Sequence, residues 1–444
     1  MGHEPRESRR AYFPRILAAV GLFASRRAVK SVAPLQGLWR HADFMRVWSA
    51  AGISAVGSQV TLLALPLTAI LVLHASAFEV AAISTAVTLP NVLGIAAGVW
   101  LDRVRRRSVM IGADFGRAAV LASVPVAYAF GVINLPQLYA VALVSGALNV
   151  AFEIASQAYL PAIVRREELI EANVKLQGAT VAAQGVGPSI GGALVTLVTA
   201  PVAILADAVS FLVSGLLIGS ISNRYESGTS PVPPATTTRS ELREGVRYVF
   251  SEPYLRPLLL SHSLANLALG LLWAIMIVYA VRVLELSAAT IGAILSLGHL
   301  GGFAGAVFAR RIAQRTGVGR VVVASFFLFG PAALLLALAT SQTAIVFVGL
   351  GWILQGVARS LYAVSATSVR QALVPDRLQA RTSGVVATTG TSAFPLGTLV
   401  GGGLAAAFGL REAMVVAAIV SFLPFVPVVL SPVRSLREVP NHSG

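Results

Sequence analysis

Twelve separate stretches of about 20 apolar residues run along this 444-residue chain, six between Val47 and Ile221 and six between Leu258 and Leu430. A helix rises about 1.5 Å per residue, so each stretch is long enough to cross the roughly 30 Å of hydrocarbon in a bilayer. No soluble fold could hide this much apolar surface. Hydrophobic residues make up 56% of the chain and charged residues 12%, against roughly 25% charged in soluble domains. The implied fold class is an all-α membrane protein, with twelve transmembrane helices in two pseudo-symmetric six-helix bundles. The 40 glycines suit spanning helices whose backbones approach closely. Cysteine is absent, which removes disulfides and thiolate metal sites, and nothing in the sequence calls for a cofactor or a metal.

A formal net charge of +15 in a soluble domain would suggest a nucleic-acid partner. The placement of the charge excludes it. With the N-terminus inside, thirty of the 34 Lys and Arg residues fall in one alternating set of loops and tails, only Arg282 and Arg411 fall in the other, and Arg117 and Arg359 lie within spans. Basic residues are held on the cytoplasmic side, so both termini are expected there and the bilayer is the partner. Residues 1–42 read as a basic cytoplasmic tail. Within them SRRAYF and the apolar run Ile16 to Ala24 have the outline of a signal segment, but the run is short and Arg26, Arg27 and Lys30 follow it. Residues 43–221 form the first bundle and 258–431 the second, with a tail over 432–444. The linker 222–257 opens with the flexible SGTSPVPPATTT. It continues in RSELREGVRYVF, where Leu242, Val246 and Val249 stand near helical spacing and predict an amphipathic surface helix.

The two halves echo each other. QAYLP at Gln157 to Pro161 matches QALVP at Gln371 to Pro375, and Pro188 is echoed by Pro395, each in a glycine-rich span. Paired six-span repeats are the architecture of a rocking carrier.

Two motifs carry a family resemblance. GVWLDRVRRRSV joins spans 2 and 3, and its Gly98, Asp102, Arg103, Arg106 and Arg107 resemble the loop signature of the major facilitator superfamily, G-x-x-x-D-x-x-G-R-[KR]. Arg105 stands where that signature has Gly, which departs from its tight turn and keeps its charges. The resemblance implies a cytoplasmic latch in which Asp102 meets a helix N-terminus and basic groups of the other half in the outward-open state, a contact favourable by about 0.3–1 kcal/mol. The counterpart in the second half, from Gly305, lacks the acid. In span 5, Gly187, Pro188, Gly191 and Gly192 are similar to the antiporter motif of drug-exporting members, with Ala183 in place of its first glycine. Glycine and proline are also common in spanning helices generally. ADFGRA at Ala113, ADAVSF at Ala206 and ALVPDRLQAR at Ala372 resemble the bacterial branch that holds siderophore exporters and multidrug pumps. What the resemblance implies is a monomeric, proton-coupled exporter of an amphipathic small molecule in the bacterial cytoplasmic membrane.

Ionisable groups inside spans are costly and mark function or structural pairing. Asp114 and Arg117 stand one turn apart in span 3, and Glu153 lies at similar depth in span 4. Arg117 can pair with either acid, and Asp114 and Glu153 are, with Asp207, the candidates for proton coupling. Asp207 in span 6 shows no basic residue at matching depth in its own half, and burial without a counter-ion favours the protonated form, which suits proton exchange. Hydrogen bonding to neighbouring backbone or hydroxyls is the alternative for Asp207. Arg359 in span 10 can neutralise an acid or meet an anionic substrate. Gln59, Asn149, Gln184, His262, Asn266, His299 and Gln355 are polar enough to line a cavity, although polar residues in bundles also bridge helices; about a third of them are expected to face a pathway.

Other classes fit less well. No G-x-x-x-x-G-K loop surrounds Lys30 or Lys175, the only lysines, so an ATP-driven pump is excluded within this chain. No H-E-x-x-H or G-x-S-x-G supports a membrane-embedded enzyme. A lipid or metabolite facilitator of the same fold stays open.

Overall fold

The structure is a computed structural model that describes residues 37–101, 104–222 and 239–437. Every regular element among them is helical. The first half holds α1 (Ala42–Leu71), α2 (Ala77–Leu101), α3 (Arg106–Ala129), α4 (Leu135–Ile163), α5 (Leu169–Val198) and α6 (Ala200–Gly219). A linker helix, α7 (Arg239–Ser251), leads to α8 (Leu255–Arg282), α9 (Ala288–Thr316), α10 (Val318–Leu338), α11 (Ala344–Leu373) and α12 (Asp376–Phe408). The last span is α13 (Leu410–Val420) followed by α14 (Phe425–Val429). It breaks because Pro424 and Pro427 supply no amide hydrogens, and Ser421 turns its hydroxyl back to the Ala417 carbonyl at 2.8 Å. With α13 and α14 taken together, eleven spans among the described residues are long and apolar enough to cross a membrane. The 25-residue α2, whose apolar part is Ala77–Val92, makes the twelfth.

In the first half α1 packs on α5 and α6, α3 on α4 and α6, and α2 on α4. The second half repeats this with α8 on α12, α9 on α11 and α10 on α11, while α5 meets α9 and α2 meets α12 across the halves. The repeat reaches the turns. VLHASA at Val72 and VLELSA at Val283 fold alike, with His74 and Glu285 at φ 52° and 55°. Ser76 and Ser287 then cap the next helix, accepting from the amides of Glu79 and Thr290. Thr199, at φ 87°, joins α5 to α6 where Gly409, at φ 99°, joins α12 to α13.

The linker helix α7 docks on the second half: Val249 is buried, Tyr248 donates to the Leu373 carbonyl at 3.1 Å, and Glu244 pairs with Arg381 and, at 3.6 Å, Arg377. At the C-terminal end a short 3-10 turn, Pro432–Ser435, tucks under α10 with Val433 buried and the Gly319 amide donating to the Leu436 carbonyl at 2.9 Å. The SRRAYF segment, the Pro/Thr/Ser part of the linker, Asp102 and Arg103 lie outside the described residues.

Candidate functional site

A cavity of about 2230 Å³ lies between the halves. Its wall follows α5 from Asn173 to Ile190 and α9 from Ala293 to Ala306, so it opens at the end of the molecule that carries the arginine-rich loops. The opposite end is closed. There Thr85 of α2 shares a 2.7 Å hydrogen bond with Thr398 of α12, Ser189 of α5 donates to Ser296 of α9 at 2.8 Å, and Arg282 reaches the Ala75 carbonyl at 2.6 Å.

The glycines singled out in span 5 have two packing tasks. A side chain on Gly187 or Gly191 would run into Gln59 and Val60 of α1, and one on Gly192 would collide with the Ala288 carbonyl of α9. Gly292 of α9 in turn lies against the Pro188 carbonyl and the Gly192 Cα. Pro188, inside α5, has no amide to bond the Gln184 carbonyl. The motif therefore lets one helix touch its own bundle on one side and the other bundle on the next.

Asp114, Arg117 and Glu153 belong to a hydrogen-bonded chain across α3, α4 and α6. Arg117 Nη2 meets Asp114 Oδ1 at 2.5 Å, both side chains buried, and Ser214 donates to the other Asp114 oxygen at 2.6 Å. Arg117 Nη1 donates to Asn149 at 3.0 Å, whose amide donates to Glu153 at 3.1 Å. The guanidinium lies over the rings of Phe211 and Phe152, at 4.0 and 4.7 Å. Stranding either member of such a buried pair costs about 3–5 kcal/mol. Of the two acids open to Arg117 in the sequence, Asp114 takes the direct contact and Glu153 is reached through Asn149.

Asp207 lines the cavity and is 1% exposed. Ser210, one turn on, donates to its carboxylate at 3.0 Å, and a side chain on Gly57 of α1 would run into both. The expectation that Asp207 has no basic neighbour is corrected: Arg117 lies within electrostatic reach. Packing of α3 on α6 and the length of the arginine side chain bring together groups that a count of residues along each span had set at different depths.

Six of the seven polar candidates, Gln59, Asn149, Gln184, Asn266, His299 and Gln355, line the cavity, more than the third expected, because the opened halves expose helix faces that a closed bundle would hide. His262 is the exception. It lies in a separate pocket of about 190 Å³, stacked on Tyr362 with ring centres 5.3 Å apart, at a spot where Gly390 leaves room for its ring. Arg359 also lines the main cavity, on the same face of α11 as Trp352 and Gln355. An arginine at mid-span costs about 2.5–3.5 kcal/mol on insertion scales unless it is paired or wetted. Sequence reasoning missed Gly57, Ser210, Ser214 and the cavity tryptophans Trp273 and Trp352. The serines follow Asp207 at helical spacing, a legible signal, whereas Gly57 shows its purpose only once α1 lies on α6.

Comparison with known proteins agrees with this architecture. The family model described as Major Facilitator Superfamily matches residues 47–352 and 258–443. The chain belongs to the Major Facilitator Superfamily. It is 25% identical over 76% of its length to the uncharacterized MFS-type transporter YvqJ of Bacillus subtilis strain 168, covering 80% of that protein. It is 27% identical over 88% of its length to the multidrug efflux pump Tap of Mycolicibacterium fortuitum, covering 95% of that pump. Among solved structures, a bacterial homologue of the iron transporter ferroportin in the inward-facing state superposes with a TM-score of 0.67 at 18% identity, over 87% of this chain and 98% of that one. The chain is a membrane transporter and not an enzyme.

Within this Major Facilitator fold, Gly98 of the loop signature lies in the last turn of α2. Arg106 donates to the Ala158 carbonyl of α4 at 2.9 Å, and Arg107 donates to the Ile218 and Gly219 carbonyls of α6 at 3.2 and 2.5 Å. These bonds place positive charge on the carbonyl ends of two helices, where the dipole favours it.

Proposed function

We propose that this transporter exports amphipathic small molecules in exchange for protons by alternating access, with its arginine-rich end in the cytoplasm of a bacterial cell. The thirty-to-two charge distribution supports that orientation. The cavity, open at the arginine-rich end and closed at the other, is then the inward-open state, ready to load from the cytoplasm and its membrane leaflet.

The observation that carries the coupling is Asp207. It is a carboxyl sealed into the cavity wall, accepting from the Ser210 hydroxyl, beside an arginine already engaged by Asp114. A group so placed gains or loses a proton as the cavity changes sides, and linkage requires that proton and substrate weaken each other's binding if they move in opposite directions. Glu153, at the end of the Arg117–Asn149 chain, is the second carboxyl through which a proton passes. Similarity to the efflux pump Tap supports export, and the protein works as a monomer because each chain encloses its own cavity.

The test is flux in proteoliposomes. An imposed pH gradient is expected to drive a fluorescent amphipathic substrate against the proton flow. Asp207→Asn is expected to abolish that coupling and Glu153→Gln to weaken it, with substrate binding retained. Transport indifferent to the gradient, or full coupling in both variants, would refute the assignment.

A further inference from the structure

The second half of the molecule holds a cation with no counter-ion among the described residues. From residue 258 to residue 431 the sequence has three acids, Glu285, Asp376 and Glu412, and all three stand at helix ends or turns. Arg359 is central in the 30-residue α11 and opens into the cavity. Among the described residues it has no ion pair and no hydrogen bond, and the electrostatic partners of Asp114 and Asp207 all lie in their own half. Its charged neighbourhood is completed by His299 of α9, which lies within its electrostatic reach and brings no negative charge.

The residue one turn earlier is also unsatisfied. Gln355 is 3% exposed, and neither its amide nitrogen nor its amide oxygen has a hydrogen-bond partner among the described residues. A buried amide without partners is costly, and this one lies on the cavity wall beside the unpaired guanidinium. A further turn along the same stripe, Trp352 meets Trp273 of α8 with ring centres 5.9 Å apart, both facing the cavity. The stripe is fixed in direction, because Gly298, Gly301 and Gly305 let α9 press directly on Trp352, Ile353 and Val357.

We infer that Trp273, Trp352, Gln355 and Arg359 form a binding subsite for an organic anion, an aromatic or apolar body carrying a carboxylate. The guanidinium fork takes the carboxylate oxygens, the Gln355 amide supplies one more donor, and the two indoles cover the apolar body. This narrows the substrate class and rests on the reading that the central cavity is where substrate binds. It is independent of the proton, whose groups lie in the other half.

Full-length protein in nanodiscs of phosphatidylcholine is titrated with dansylglycine and with its uncharged amide, dansylglycinamide, and binding is read as energy transfer from tryptophan. The wild type is expected to prefer the carboxylate by about tenfold or more. Arg359→Gln should remove the preference while leaving amide binding in place, which also reports that the variant is folded. If Arg359→Gln does not fold, Arg359→Lys, which keeps the charge and loses the fork, is expected to weaken carboxylate binding several-fold without changing amide binding. Equal affinities in the wild type, a preference that survives Arg359→Gln, or an unaltered Arg359→Lys would overturn the inference. Equilibrium binding needs no gradient, so failure of proton-driven export would leave this result standing.

Discussion

Thr85 of α2 and Thr398 of α12 join the two halves through a 2.7 Å hydrogen bond at the closed end of the cavity. If the halves part there during transport, that bond must break in every cycle. The chain has no cysteine, so a pair introduced at these positions can react only with each other. Thr85→Cys with Thr398→Cys is expected to cross-link under a membrane-permeant oxidant and stop transport, with recovery on reduction. Transport that continues in the cross-linked protein would show that this end does not open.

Thr199 takes a backbone conformation at φ 87° that β-branched residues adopt only under strain. The equivalent turn of the second half uses Gly409. Thr199→Gly is expected to stabilise the protein by about 1 kcal/mol, and Gly409→Thr to destabilise it by at least as much. Thermal unfolding in detergent, followed by the elution of folded protein, measures both. A lower melting temperature for Thr199→Gly would mean that other contacts of the threonine outweigh the strain.

Orientation can be read chemically. Ser341 is exposed in the loop between α10 and α11, and Ser251 is exposed at the end of the linker helix. A cysteine at Ser341 is expected to react with an impermeant maleimide added to intact cells, and one at Ser251 only after lysis. The reverse pattern would invert the proposed topology.

The latch assigned by family resemblance rests on the charge of Asp102. Asp102→Asn keeps the shape and removes the charge, so expression should hardly change while transport slows about several-fold, the scale of a helix-terminus interaction of up to ~1 kcal/mol. Arg107→Gln is expected to act differently. It removes the caps on the Ile218 and Gly219 carbonyls and should lower thermal stability as well as rate.

Much of the architecture is legible in the linear sequence because each span must satisfy its own backbone hydrogen bonds in lipid. Length and hydropathy locate such helices without knowledge of their neighbours. The repeat was legible only in part: Pro188 and Pro395 stand out, whereas the agreement of His74 with Glu285 is one of backbone conformation between unlike side chains. At the candidate site, Asp207 and Arg359 are conspicuous because charges in spans are rare. Their partners are not, since the distance from Asp207 to Arg117 depends on how α3 lies on α6. The separation of His262 from the main cavity depends likewise on the packing of Tyr362. Periodicity can place a residue on a helix face, but it cannot say which helix that face will meet.

Beside the Thr85–Thr398 and Ser189–Ser296 hydrogen bonds, the contacts that shut the cavity at its far end include close approaches at glycine, with Gly192 against Ala288, Gly292 against Pro188 and Gly402 against Phe78 and Ala81. Surfaces of this kind interdigitate little side-chain area, and apolar burial stabilises in proportion to area, at about 25 cal/mol per Å². Such a barrier blocks solutes by closeness of fit while adhering weakly. Two orientations separated by so shallow an adhesive difference can hold comparable populations, and a modest preference of any ligand for one of them is then enough to reverse the balance.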